Sequence, residues 1–173
     1  MSTSILAGSL KGRQLNTGRS LDIRPTSSLV RESIFNILGN IRDDKVLDLY
    51  SGAGTLGFEA ISRGAGSVTF VDNNVEAIGI IRMNAQLFLE ASLNIERQDS
   101  MSFLSNCGIY DIILADPPYG KANLDDLAQK SMKRLKRNGI IIIETSKNEN
   151  WQPAGARIKT YGDTQLTIFR KQP

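Results

Sequence analysis

Apolar positions in this chain recur with two periods that alternate from about residue 45 onward. Short apolar runs of strand length are followed by stretches whose apolar residues fall three and four apart, which is the signature of strand alternating with helix. The pattern predicts strands over 45–50, 67–71, 94–98, 110–115 and 139–145, with helices over 55–63, 74–90, 100–106 and 123–137 between them. Runs such as Ile112-Ile113-Leu114-Ala115 carry no polar face, so the sheet is expected to be mainly parallel and covered by helices on both faces, an α/β architecture. The two ends read differently. Residues 4–16 suit a small β-hairpin with Gly-Ser and Lys-Gly turn material. Arg24-Pro25-Thr26-Ser27 then stops extended structure and caps a helix over 28–38 with a stripe of Val30, Ile34, Ile37 and Leu38. Residues 156–161 and 165–170 flank Gly162-Asp163 and predict a hairpin that adds an antiparallel strand to the sheet. No repeat or long linker interrupts the chain, so the expected organisation is an extension over 1–42 joined to one compact unit over 43–173.

Two motifs sit where predicted strands end. Val46-Leu47-Asp48-Leu49-Tyr50 runs into Ser51-Gly52-Ala53-Gly54-Thr55-Leu56-Gly57 and then into a helix, which is the start of a nucleotide-binding unit. Gly52 and Gly54 permit positive φ and close approach of a ligand to the backbone, and helix N–H groups open toward it. Asp72, with Asn73 beside it, ends the next strand where a carboxylate can bind both ribose hydroxyls. A dinucleotide oxidoreductase is the first rival, because Gly52, Gly54 and Gly57 satisfy G-x-G-x-x-G. Asp48 argues against it: a carboxylate inside the first strand would face an incoming pyrophosphate, whereas an ammonium group would suit it. S-adenosylmethionine has an ammonium, a sulfonium, a ribose and an adenine but no phosphate. Asp99-Ser100, at the end of the third strand, could accept from the adenine amine, so three acids at successive strand ends fit that cofactor along its length.

The second motif, Asp116-Pro117-Pro118-Tyr119, closes the run Ile112–Ala115 and describes a pocket for a planar amine. Each proline lacks an N–H and fixes φ near about −65°, so the segment presents carbonyl acceptors without competing donors. Asp116 and the Pro117 carbonyl can accept from an NH2 group while Tyr119 lies against the heterocycle that carries it.

Composition narrows the chemistry. The chain's 173 residues, 40% of them apolar and 23% charged, are ordinary for one globular domain. Without histidine, and with Cys107 as the single cysteine, there is no Ser-His-Asp triad, no Cys-His dyad and no zinc site; no metal is expected. Cys107 has no neighbouring base and reads as a boundary thiol. No apolar stretch approaches the roughly 18 residues of a membrane span, and the first residues do not resemble a signal peptide, so a cytoplasmic protein without membrane contact is expected. Charge is uneven. Residues 1–42 carry six bases (Lys11, Arg13, Arg19, Arg24, Arg31, Arg42) against two acids (Asp22, Glu32), while the remaining 15 bases face 16 acids. A basic segment beside a near-neutral catalytic unit suits a phosphate-backbone contact, with solubility charge on an arm as the alternative. Lys130, Lys133, Arg134, Lys136 and Arg137 form a second cluster, read as cations closing the helix over 123–137.

Asp116-Pro117-Pro118-Tyr119 together with Leu47–Gly54 resembles the class I amino-methyltransferases, which modify exocyclic amines of DNA or RNA, or glutamine side chains. The N-terminal motifs Gly8-Ser9-Leu10-Lys11-Gly12-Arg13, Arg24-Pro25-Thr26 and Val30-Arg31-Glu32-Ser33-Ile34-Phe35-Asn36-Ile37-Leu38 resemble the RsmD family of bacterial 16S rRNA guanine-N2 methyltransferases. Ser62-Arg63-Gly64-Ala65 and Asp99–Leu104 extend the likeness over nearly the whole chain. The resemblance implies a Rossmann-like fold, S-adenosylmethionine converted to S-adenosylhomocysteine, and 16S rRNA or the small ribosomal subunit as partner; a monomer is expected. It implies cofactor contacts at Asp48, Ser51, Gly52, Ala53, Gly54, Asp72, Asn73, Asp99 and Ser100, catalytic roles for Asp116, Pro117, Pro118 and Tyr119, and RNA contacts at Lys11, Arg13, Arg24, Thr26 and Arg31. Arg31 could instead sit on the helix surface and only brace the Arg24-Pro25-Thr26 turn. DNA adenine, another RNA and protein glutamine stay open as acceptors, as does an RNA-binding protein without catalysis.

Overall fold

The computed structural model describes residues 2–18 and 27–173, so Arg24 and Thr26 lie outside the described residues. Seven strands form one sheet in the order β5-β4-β3-β6-β7-β9-β8: β3 Lys45–Leu49, β4 Ser67–Asp72, β5 Ser92–Arg97, β6 Tyr110–Ala115, β7 Leu135–Ser146, β8 Arg157–Tyr161 and β9 Thr164–Arg170. From β5 to β7 the neighbours are parallel, and β9 runs antiparallel between β7 and β8. The terminal hairpin therefore joins the sheet through its second strand. β1 Ser2–Ser4 and β2 Gln14–Asn16 form a separate antiparallel pair.

Alternating side chains of the sheet divide the core in two. On one face, Val46, Phe70, Ile112, Leu114, Ile142 and Leu166 pack with the N-terminal pair and with α1 Ser28–Leu38, α2 Thr55–Ser62 and α3 Val75–Ala85. On the other, Leu47, Leu49, Ile113, Ile141 and Ile143 meet α4 Ser100–Asn106 and α5 Leu124–Lys133. This is the layered arrangement of a Rossmann-like fold. Chain order reverses between β3, which continues to β4 and β5, and β6, which continues to β7. Such a switch point opens a crevice beyond the carboxyl ends of the central strands.

Two helices stop earlier than their sequence pattern suggests. The helix expected over 74–90 leaves α-geometry after Ala85, where Gln86, Leu87 and Phe88 donate to Met83, Asn84 and Ala85 in a tighter three-residue ladder. That turn drops Phe88 into the core against Phe58, with ring centroids 4.7 Å apart. The helix expected over 123–137 ends at Lys133, because Leu135 is buried opposite Tyr110 as the first residue of β7. Lysine and arginine favour helix on propensity alone, and burial of one leucine overrides that preference. Arg134 is taken up instead by the end of α4, where its guanidinium donates to the Leu104 and Ser105 carbonyls. Asn138, at φ 62, then accompanies the register shift between β6 and β7.

Candidate active site

A cavity of about 740 Å³ occupies the switch-point crevice. Its floor is the turn after β3. Tyr50 takes φ 56, and Ser51 reverses the chain, its hydroxyl donating to the Asp48 carbonyl at 2.6 Å and accepting the Val71 N–H at 2.9 Å. The Gly52 N–H donates to Asp72 Oδ2 at 2.8 Å, and Asp72 Oδ1 accepts from Asn74, so one carboxylate joins the glycine turn to the end of β4. Gly54 is the left-handed N-cap of α2, at φ 77, where a Cβ would lie 2.8 Å from the Phe58 ring.

Asp48 is the most unusual group here. It is 2% exposed, lines the cavity and accepts the Gly57 N–H at 3.0 Å. Burial pushes its carboxyl well above the ordinary range, the Gly57 bond opposes that rise, and the negative charges of Asp116 and Asp72 add to it. A cation placed in the cavity would relieve all of these costs at once. Gly57 explains the third glycine of the turn: a Cβ there would stand 2.2 Å from the Phe70 ring and 3.0 Å from Asp48 Oδ2. That glycine serves close packing and the N–H to Asp48.

The adjoining wall follows β6, the parallel neighbour of β3. Asp116 is half-buried, Pro117 is buried, Pro118 and Tyr119 are exposed, and all four line the cavity. The Lys121 N–H closes a turn on the Pro118 carbonyl at 3.2 Å, with Gly120 at φ 67, leaving the Tyr119 ring 42% exposed beside the opening. A ring in that position offers a stacking surface. Ser51, Gly52, Ala53, Asp72, Asn73 and Asp99 also reach the cavity.

Several predicted residues sit elsewhere. Gly54 and Ser100 do not line the cavity; Ser100 is buried and its hydroxyl accepts the Tyr50 N–H, so it supports the turn from behind while Met101 takes the place on the wall. Asp99 caps α4 through the Ser102 N–H and lines the cavity as well. Arg31 requires a correction: its side chain is 1% exposed, donating to the Ser4 carbonyl at 2.8 Å and facing Glu59 at 3.9 Å, so it offers no surface to RNA and ties the N-terminal strands to α2 from inside. Nor does it lie on the helix surface. Lys11 and Arg13 are exposed on the hairpin turn, which is bonded to Ser62 at the end of α2 remote from the cavity. In the second basic cluster, Lys130 and Lys133 close α5 and Lys136 pairs with Asp111 from β7. Cys107 is half-buried and burial raises its thiol pKa. Among the described residues no acidic, histidine or cysteine group of three or more could hold a metal ion, and no helix is long and apolar enough to cross a membrane.

Thr17 and Asn84 were not legible as site residues. Thr17 lines the cavity at the exit of β2. Asn84, buried on α3, accepts the Asn16 N–H and donates to the carbonyls of Asn16 and Ala53, clamping that exit to the glycine turn. An asparagine within an apolar helix is the one sequence signal that could have marked it.

The family described as Conserved hypothetical protein 95 matches residues 3–170. The chain is 35% identical to "Ribosomal RNA small subunit methyltransferase D" of Haemophilus influenzae over 162 residues, spanning 85% of this chain and 83% of that protein. The protein of the same name from Escherichia coli is 31% identical over 142 residues, spanning 81% of this chain and 70% of its own length. A solved Escherichia coli structure, yhhF, superposes with TM-score 0.88 at 25% identity over 99% of each chain. A Thermus thermophilus 16S rRNA N2 methyltransferase, RsmC, solved with AdoMet and guanosine, shares the fold at TM-score 0.77 and 18% identity, over 99% of this chain and half of that one. A family match along nearly the whole chain, together with relatives of more than 30% identity over most of both lengths, makes this protein a member of the RsmD family.

Proposed function

We propose that the protein is an S-adenosylmethionine-dependent rRNA methyltransferase, and that its acceptor is the N2 amine of a guanine in 16S rRNA. The observation that carries this reading is that buried Asp48 and half-buried Asp116, near the ends of the neighbouring parallel strands β3 and β6, line one cavity together with exposed Tyr119. The residues fit the cofactor. Asp48 would receive the ammonium, Ser51, Gly52 and Ala53 would pass the methionine chain, Asp72 with Asn73 would bind the ribose hydroxyls, and Asp99 would accept from the adenine amine. S-adenosylmethionine supplies an electrophilic methyl group on a sulfonium.

This chain's part is orientation. Asp116 and the Pro117 carbonyl would hold the two hydrogens of the acceptor amine, turning its lone pair out of conjugation and toward the methyl. Tyr119 would stack on the guanine, which has to be unstacked from its neighbours to enter. Fixing that geometry supplies most of the rate; as the N–CH3 bond forms and the C–S bond breaks, the sulfur would leave as the neutral thioether of S-adenosylhomocysteine, the Asp116 carboxylate would meet the positive charge on nitrogen, and the surplus N–H proton would pass to that carboxylate or to water. No covalent enzyme intermediate is needed. An acid at the position of Asp48 remains unfavourable to a pyrophosphate, which sets aside the dinucleotide reading. The Haemophilus influenzae and Escherichia coli relatives named for rRNA methylation support RNA as the acceptor class.

Transfer of labelled methyl to unmodified 16S rRNA and to small ribosomal subunits, followed by nucleoside analysis, tests the reading. Label in N2-methylguanosine is expected. Cofactor binding without label in either substrate would move the acceptor to DNA or to protein glutamine. Asp116→Ala should abolish transfer while cofactor affinity, measured by calorimetry, stays within a few-fold. Near-normal turnover in that variant would remove Asp116 from the mechanism.

A further inference from the structure

A groove at the far edge of the sheet concentrates positive charge that the catalytic cavity does not use. Arg157 and Lys159 of β8, Arg170 of β9, Asn36 of α1 and Gln172 line a cavity of about 440 Å³ over Ile37 and Ile168. Among the described residues no carboxylate lines it. Among the described residues Arg157, Lys159 and Arg170 enter no ion pair, whereas Lys130, Lys136 and Lys147 are each paired with an aspartate. Bases left unpaired around one concavity are the electrostatic footprint of a polyanion, and arginine forks with amide side chains suit phosphate oxygens.

The strand register connects this groove to the catalytic wall. Ala115 pairs with Ile143, Ile143 with Thr167 and Thr167 with Ile158, so Arg157 and Lys159 flank a row that starts beside Asp116. Three strand steps of about 4.8 Å place the groove roughly 14 Å across the sheet from that row's origin. The faces agree too. Ile112, Leu114, Ile142, Leu166 and Ile168 share the core cluster under α1, and alternation puts Asp116, Arg170, Lys159 and Arg157 on that same side.

We propose that this groove between α1 and the terminal hairpin carries the phosphate backbone of the RNA that flanks the target nucleotide. The proposal rests on the rRNA reading above. The competing role for cations on β8 is protection of an edge strand against pairing with another chain. Edge protection needs charge but no salt-dependent RNA affinity, so the two roles separate by measurement.

The test compares the wild-type protein with the triple variant Arg157→Gln, Lys159→Gln, Arg170→Gln and with each single variant, in binding to 16S rRNA across a salt series. Each lost contact to single-stranded phosphate should lower the slope of log affinity against log salt by about 0.7, so the triple variant should lose about 2 in slope and roughly tenfold or more in affinity at low salt. Calorimetric cofactor affinity should not change. A triple variant with wild-type affinity and slope overturns the proposal, and so do single variants with unchanged slopes if the triple variant fails to fold. Failure of the rRNA reading looks different: wild-type protein that binds cofactor but labels neither rRNA nor subunits removes that reading and this groove with it, while labelling that survives with unaltered binding in the variants removes the groove alone.

Discussion

Asp48 is kept in the cavity against the stability of the free protein. Its ordinary pKa is 3.8 and burial raises it well above that value in the folded state. Between the two values the native protein holds a proton that the unfolded chain has released, so ligand-free stability falls as pH rises through that window and stays low above it. Asp48→Asn removes the ionisable group while keeping an acceptor for the Gly57 N–H. The variant should melt at higher temperature than the wild type at pH 8 without ligand, and the pH dependence assigned to this window should flatten. Its affinity for S-adenosylmethionine should fall roughly tenfold to a hundredfold, the worth of one hydrogen bond to a charged group. A lower melting temperature combined with unchanged cofactor affinity would show that Asp48 is a structural acceptor only. Gly57 is the companion case. Gly57→Ala forces a methyl into the Phe70 ring, and overpacking of this kind should cost about 1–3 kcal/mol in denaturant unfolding. If stability is unchanged, the tight approach of α2 to β4 is not what requires glycine there.

Between elements, buried polar groups fix how the N-terminal strands meet the helices. Glu59 of α2, fully buried, accepts the Leu6 and Ala7 N–H groups and the Arg63 Nε–H, and faces Arg31 of α1. Arg63 in turn lies over the Phe35 ring at 4.7 Å. Burial lowers the Arg31 pKa, and the Glu59 charge opposes that shift. Removing one partner is more costly than never having built the pair, because the remaining charge stays buried. Glu59→Ala should therefore destabilise the fold by about 3–5 kcal/mol in urea unfolding, far more than truncation of an exposed glutamate such as Glu90. A loss below about 1 kcal/mol would mean that water reaches the site and the network is not sealed. Asn84 works in the same way one helix further on, where a single amide holds the backbone of Asn16 and the Ala53 carbonyl together.

At the scale of the molecule, the strand and helix periods and the proline turn gave away the sheet and the acids of the cavity, because strand ends at a switch point are marked locally by residue type. Asp48, Asp72, Asp99 and Asp116 could be located that way. Asn84, Arg31 and Thr17 could not, since their roles depend on which segment the N-terminal strands lie against, and nothing in the local pattern records that pairing. The end of α5 was misplaced for the same reason: the burial of Leu135 opposite Tyr110 is a long-range fact. These long-range ties also bear on how the chain divides. Ile5 and Leu15 are buried in the same cluster as Val30, Ile34, Phe58 and Ile81, and the N-terminal backbone is bonded to Glu59, Ser62 and Asn84. A fragment covering 43–173 would expose that apolar face of α2 and α3 and strip Glu59 of the Leu6 and Ala7 donors and of Arg31. Residues 1–42 and 43–173 should accordingly unfold in one cooperative transition, with calorimetric and van't Hoff enthalpies in agreement. The fragment alone should fail to give a cooperative melt or to bind S-adenosylmethionine. A fragment that melts cooperatively and binds the cofactor at full affinity would instead make the N-terminal segment a separable attachment, and the clamp at Asn84 would lose its part in shaping the site.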